Sequence, residues 1–266
     1  SILVTLFTGI LLGLASGVNA LTALHIGSKD DEGLKRTVHT AVIICLAGGI
    51  LITVFGILFS HNILALMNTK DELIDGAVLY LRIYLLGMPA LGLYNFGNAV
   101  LSAAGDTKRP LYYLAFAGVV NVILNLFFVI VCHLGVAGVA LASMISQFIS
   151  AFLILRALLT GKEKYCLRLS EIRFDKRKAV GILQIGIPSA FQYSLFAFAN
   201  LFVQSSVNSF DHVLVEGNSA AANADPLVYD MMAAFYTACG SFMGQNYGAG
   251  KKKRVRNSYL ISLAYS

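Results

Sequence analysis

Long apolar runs separated by short polar clusters are the dominant pattern along the chain. An α-helix needs about 20 apolar residues to cross the hydrocarbon core of a bilayer, and the complete runs reach that length. They lie at Ile2–Leu24, His39–Phe59, Ala77–Ala103, Leu111–Cys132, Leu134–Leu159, Val180–Phe210 and Leu227–Tyr247. A further run begins near Ser258 and continues to Ser266. The pattern predicts an all-α polytopic membrane protein with seven transmembrane helices and the start of an eighth.

Composition supports this fold class and excludes others. Of 266 residues, 57% are hydrophobic and 13% charged, with a mean hydropathy of +0.73, against about 45–50% and 25% in a soluble domain. Transmembrane β-barrels show short alternating segments instead of continuous apolar runs. The lipid bilayer is therefore the expected partner, and the net charge of +6 is expected to report membrane topology and not nucleic-acid binding.

The basic residues alternate from one connection to the next. The second, fourth and sixth connections together hold only Lys70, and Arg82 lies near the start of the third span. The other basic residues lie in the odd connections: Lys29, Lys35, Arg36, Lys108, Arg109, Lys162, Lys164, Arg168, Arg173, Lys176, Arg177, Lys178, Lys251, Lys252, Lys253, Arg254 and Arg256, with Arg156 just before the fifth connection. Since Lys and Arg favour cytoplasmic loops, we predict a plasma-membrane protein with cytoplasmic basic loops and an extracytoplasmic Ser1.

The longest polar segment, Thr160–Lys178, predicts a cytoplasmic linker (residues 160–178) between an N-terminal lobe (residues 1–159) and the beginning of a C-terminal lobe (residues 179–266). A weak repeat joins the two parts: a glycine and a basic turn follow both the first span, at Gly27, and the seventh span, at Gly248. Such repeats indicate parallel, pseudo-symmetric halves. Because the chain starts and stops inside apolar runs, we expect it to be part of a longer protein.

Ionisable groups offer little chemistry within the spans. Of the carboxylates, only Asp230 lies inside a predicted span, although intramembrane charges usually mark functional sites. The sequence shows no paired nucleophile and base, no metal-ligand spacing and no phosphate-binding loop. We therefore expect no enzymatic activity, no metal and no organic cofactor.

Neutral polar side chains are the candidates for a transport pathway. Asn121 and Asn125 are four residues apart, so they share one helix face. The sixth span places Gln192, Phe196, Asn200 and Gln204 at four-residue steps, a mixture of amides and an aromatic ring that suits a small amphiphilic ligand. Hydrogen bonding between packed helices is the alternative interpretation for both groups.

Two further patterns concern helix geometry. Gly-x-Pro elements containing Pro89 and Pro188 lie within predicted spans, where proline removes a backbone donor and kinks the helix. Gly9, Gly13 and Gly17 form a ridge of small residues that is typical of close helix packing.

Five motifs in order give the chain a family resemblance. They are Gly87-Met-Pro89 through Gly105-Asp-Thr-Lys-Arg-Pro110, Asn121 with Asn125, Gly135 through Gln147, Gly186-Ile-Pro188 with Gln192, Asn200, Gln204 and Asn208, and Gly244-Gln-Asn-Tyr-Gly-Ala-Gly250. In this order the chain resembles the MATE family of multidrug and toxic-compound extrusion antiporters. The resemblance implies a twelve-helix, two-lobed bundle, of which this chain would supply helices two to eight and the start of nine. The remaining helices would be its partner.

The resemblance carries over the coupling residues only in part. One branch of the family has an Asn and an Asp on the fifth helix and a Thr on the sixth, and these match Asn121, Asn125 and Ser143 here. In another branch a Glu stands at the position of Phe196. Because neither acid is present, the coupling ion, H+ or Na+, stays open.

The resemblance predicts secondary active efflux of amphiphilic or cationic compounds by cation-coupled antiport and alternating access. A lipid-linked saccharide flippase of the same superfamily is one alternative. A seven-helix receptor-like protein that does not transport, or an inactive fragment, is another.

Overall fold

A computed structural model describes residues 2–66, 71–207 and 225–265, although within these ranges the side chains of residues 2, 66, 71–73, 197, 198, 200–202, 204–207 and 225–230 lie outside the described set. The described residues form helices and connections without a strand. The α-helices are α1 (Ile2–Ser28), α2 (Asp31–Leu66), α3 (Asp71–Leu85), α4 (Met88–Ala103), α5 (Lys108–Leu126), α6 (Gly135–Thr160), α7 (Lys176–Val207), α8 (Asp225–Gly248) and α9 (Lys252–Tyr265). A π-helical turn, Phe127–Val131, continues α5, and a 3₁₀ turn, Leu169–Glu171, lies in the linker.

Membrane-length helices dominate the described residues. Five helices, α1, α2, α5 with its π-helical turn, α6 and α7, are long and apolar enough to cross a bilayer. The bent pair of α3 and α4 makes a sixth if it counts as one span. The predicted all-α membrane fold class is therefore confirmed, whereas the count of seven spans plus an eighth and the twelve-helix bundle stay predictions.

The third predicted span differs from the sequence interpretation. It is two helices, α3 and α4, which meet at Leu86 and Gly87 with a bend of 44°. Pro89 lies in the first turn of α4, where its missing N–H removes no intrahelical hydrogen bond. This proline therefore begins a helix, whereas Pro188 lies inside α7.

Helix α1 lies at the centre of the described bundle and packs against α2, α4, α7 and α8. Its buried side chains Leu11 and Val18 join Val38 of α2, Phe96 of α4 and Ile182 of α7 in one apolar core. Because lipid tails are as apolar as these side chains, close packing and hydrogen bonds hold membrane helices together more than burial from water does.

The linker between α6 and α7 is fastened to the start of α2. The buried His39 accepts a hydrogen bond at Nε2 from the Arg168 backbone N–H at 3.1 Å, while its Nδ1 lies 2.8 Å from the Lys35 carbonyl oxygen. The next residue, Thr40, donates to the Arg173 carbonyl at 3.4 Å and accepts from the Asp175 N–H at 3.1 Å. The polar segment is thus a strap held by two consecutive α2 side chains.

Carboxylates at this end of the bundle pair with the basic residues around them. Glu171 of the linker lies 3.7 Å from the Lys35 ammonium and 3.4 Å from the Arg168 guanidinium. Asp175 caps α7, and the backbone N–H groups of Lys178 and Arg177 lower the pKa of its carboxyl. Part of the positive charge that the sequence assigns to these loops is therefore balanced within the protein.

Candidate substrate cavity

Close approach of α1 to α7 forms one wall of the candidate site. A Cβ atom at Gly13 would overlap the Ala190 backbone, and one at Gly17 would overlap the Ile182 carbonyl oxygen. A Cβ atom at Gly9 would lie only 2.9 Å from the Tyr193 Cβ. The glycine ridge therefore lets the two backbones touch, as the small-residue pattern predicted.

Helix α8 packs on α1 near its Ser28 end through a buried polar clasp. The Asn19 amide nitrogen donates to the Ala99 carbonyl of α4 at 3.1 Å, and its oxygen accepts from the Ser241 hydroxyl of α8 at 3.1 Å. Gln245 of α8 donates to the Ala103 carbonyl at 2.6 Å. We call Asn19, Ser241 and Gln245 the interhelical clasp. These bonds hold α1, α4 and α8 together at that end.

A cavity of about 290 Å³ lies between α1, α7 and α8. Its lining combines aromatic rings, hydroxyls, an amide and a thioether: Ser16, Ser189, Gln192, Tyr193, Phe196, Met232, Ala233 and Tyr236. None of these described lining residues carries a formal charge. The clasp residue Asn19 is one helical turn beyond Ser16 on α1, so the clasp lies between this cavity and the Ser28 end of the helix.

Two predicted residues, Gln192 and Phe196, line this cavity. The side chains of Asn200 and Gln204 lie outside the described residues. Sequence reasoning missed Ser16, Met232 and Tyr236, since each is an ordinary residue on its own helix. Only the packing of α1 and α8 against α7 makes them neighbours of Gln192.

The other predicted group forms a hydrogen-bonded row between α5 and α6. Asn125 donates to the Asn121 side-chain oxygen at 3.0 Å, and Asn121 donates to the Ser146 hydroxyl at 3.3 Å. Ser143 instead donates to the Val139 carbonyl of its own helix at 3.0 Å. Ser146, which the sequence interpretation omitted, is thus the α6 partner of the asparagines.

One atom of this row has no partner among the described residues: the side-chain oxygen of Asn125, which is buried. The row belongs to α5 and α6, whereas the cavity is lined from α1, α7 and α8, so the structure does not bring the two predicted groups together in one lining. The described residues also contain no cluster of His, Cys, Asp and Glu side chains suited to a metal ion.

The described residues form a bundle of long apolar helices with a polar and aromatic cavity between three of them, which is the architecture of an integral membrane protein. The MatE family model matches residues 1–127 and 188–266. This chain therefore belongs to the MatE family, as the motif order predicted.

Individual relatives agree with the family. The chain is 31% identical over 246 residues to the probable multidrug resistance protein YpnP of Bacillus subtilis, covering 92% of this chain and 55% of YpnP. It is 22% identical over 267 residues to an FAD transporter of Shewanella oneidensis, covering 98% of this chain and 58% of that protein. The solved structure of a MOP superfamily transporter from Pyrococcus furiosus matches with a TM-score of 0.91 at 23% identity, covering 98% of this chain and 58% of that one. The chain thus spans little more than half the length of these relatives.

Proposed function

We propose that this chain is part of a secondary active transporter of the plasma membrane that exports amphiphilic, cationic compounds by alternating access. The observation that carries the proposal is the uncharged, aromatic cavity between helices that precede and follow the linker. Membership of the MatE family and the similarity to YpnP support it. The proposal extends to the activity, substrates and partners of the whole transporter.

The lining chemistry favours a flat or cationic cargo. Tyr193, Phe196 and Tyr236 supply ring faces that attract a cation, and Gln192 supplies an adaptable hydrogen-bonding group. A phosphate-bearing cargo, such as FAD or a lipid-linked saccharide, is recognised best by Arg or Lys. No described lining residue is of that type, which weighs against these alternatives.

We also propose a direction for the observed state. Positive loops favour the cytoplasmic side, so we place the Ser28 end of α1 in the cytoplasm and Ser1 outside. The clasp then closes the cytoplasmic end. In this proposal residues 1–159 and 179–266 belong to two lobes that rock against each other, and further helices complete a twelve-helix bundle.

The asparagine row is our candidate for cation coupling. Amide oxygens bind hard cations such as Na+ and also accept hydrogen bonds from a protonated acid. The buried Asn125 oxygen lacks a donor in the described residues, and it lies beside Asn121. We propose that Na+, or a protonated carboxyl group from the rest of the transporter, engages this oxygen during the cycle, with Asn121 and Ser143 nearby.

Ligand binding by the purified chain in lipid nanodiscs tests the cavity. Ethidium, a planar cation, should bind, and Phe196→Ala should weaken its binding about two- to fivefold through loss of a cation–π contact. Phe191→Ala is the matched control, because Phe191 is 65% exposed on the same helix and does not line the cavity. Absence of binding, or equal losses in both variants, would refute this site.

A second measurement tests the coupling row separately. Ethidium affinity should depend on Na+ concentration or on pH, and Asn125→Leu should remove that dependence while leaving basal affinity intact. Asn246→Leu is the control, since the Asn246 side chain donates to the Phe242 carbonyl of its own helix. An unchanged ion dependence in Asn125→Leu would contradict the assignment.

A further inference from the structure

A groove lined only by apolar side chains runs between α5 and α6. Its volume is about 590 Å³. The lining comprises Phe116, Val120, Ile145, Phe148, Ile149, Phe152 and Leu153. The three phenylalanines are all exposed. The groove has no residue in common with the asparagine row or with the candidate substrate cavity.

Two cationic residues lie toward one end of this groove. Arg156 follows Phe152 by one helical turn on α6, and Lys108 precedes Phe116 by two turns on α5. Helices α5 and α6 form a hairpin through Cys132–Leu134, so the first turn of α5 and the last turns of α6 lie at the same end. The apolar groove therefore leads toward two positive charges.

Neither cation has an anionic partner among the described residues, in contrast to Arg109 and Arg168. In the described part of the chain, the side chains of Lys108 and Arg156 are exposed and make no ion pair or hydrogen bond. Arg109, next to Lys108, is paired with Asp106. Arg168, beyond Arg156, is paired with Glu171 at 3.4 Å.

We propose that this groove binds a phospholipid with an anionic headgroup, its acyl chain against the phenylalanines and its phosphate against Arg156 and Lys108. A lining without polar groups suits an acyl chain, and guanidinium and ammonium groups bind phosphate oxygens. Because α5 and α6 are both long and apolar enough to cross a membrane, a lipid of the surrounding bilayer can reach the groove. The site goes beyond transport and does not depend on the proposed cargo.

Native mass spectrometry of the purified chain tests the headgroup contact. The probes are phosphatidylglycerol and phosphatidylcholine with identical acyl chains. Phosphatidylglycerol should bind more tightly, and Arg156→Gln and Lys108→Gln should each weaken its binding roughly fivefold, because each basic side chain near anionic lipid contributes a similar factor. Phosphatidylcholine binding should stay unchanged, and Arg156→Lys should retain most of the preference.

The groove itself is tested by filling it. Val120→Trp should reduce binding of both lipids, whereas Val119→Trp, at a neighbouring residue that is 60% exposed and outside the groove, should reduce neither. Arg177→Gln is the charge control, since Arg177 is exposed on α7 and makes no ion pair in the described structure. Equal binding of the two lipids, equal losses in Arg177→Gln and Arg156→Gln, or equal losses in the two tryptophan variants would overturn the proposal.

Discussion

Replacing Asn19 with Leu should loosen the Ser28 end of α1. The Asn19 amide is buried and makes two hydrogen bonds, to the Ala99 carbonyl and from the Ser241 hydroxyl, both at 3.1 Å. Interhelical bonds of this kind are each worth about 0.6–2 kcal/mol in a membrane. Loss of both therefore disfavours the closed arrangement by about 1–4 kcal/mol, which corresponds to a shift of about 5- to 700-fold in its population relative to an open one.

Thiol labelling measures this shift with a cysteine already present. Cys239 is half-buried on α8, between the cavity residue Tyr236 and the clasp residue Ser241. In a background with Cys132 and Cys166 changed to Ser, Asn19→Leu should raise the labelling rate of Cys239, by at most the factor above because the half-buried thiol is already partly accessible. Cys45 is fully buried in the core, so its continued protection shows that the variant remains folded.

Two controls make the result specific to the clasp. Asn246→Leu removes an amide that bonds only within α8 and should leave Cys239 labelling unchanged. Ser241→Ala should have a smaller effect than Asn19→Leu, because it removes only one of the two Asn19 bonds. Labelling of Asn19→Leu at the original rate, with Cys45 protected, would refute the reasoning.

Three more predictions follow from packing and capping. Gly13→Ala should lower thermal stability in detergent because its Cβ would overlap Ala190 of α7. Gly118→Ala, with open space around it, should be neutral or stabilising by up to about 1 kcal/mol. Equal shifts in melting temperature would contradict the α1–α7 contact. His39→Leu should speed tryptic cleavage of the linker because the Arg168 backbone N–H loses its hydrogen bond to the ring. His61→Leu, at an exposed position, should not. Equal cleavage rates in the two variants would contradict the attachment of the linker to α2. The lowered pKa of the Asp175 carboxyl means that its contribution to stability is present above the ordinary value of 3.8 and disappears as pH falls through the lowered folded-state value. Asp175→Asn should therefore be less stable than the unmodified chain at neutral pH and should lose less stability in acid. Glu163→Gln is the control. Identical pH profiles for Asp175→Asn and the unmodified chain would contradict that role.

Local sequence pattern was enough to predict the helical membrane fold class and some of its contacts. Hydrophobic runs give membrane-length helices wherever backbone polar groups must be satisfied internally. The four-residue spacing of Asn121 and Asn125 predicts their shared face, and the spacing of Gly9, Gly13 and Gly17 predicts a close helix contact. These features depend only on helical periodicity.

Other features required residues far apart in the chain to meet, and only the tertiary structure decided them. The cavity takes Ser16, Gln192 and Tyr236 from three helices, and the clasp joins Asn19 to Ser241 across 222 positions. The polar segment from Thr160 to Lys178 predicts a linker, but no pattern within that segment predicts its hydrogen bond to His39 of α2. Periodicity describes which side chains share a face of one helix; it does not specify which helix packs against that face.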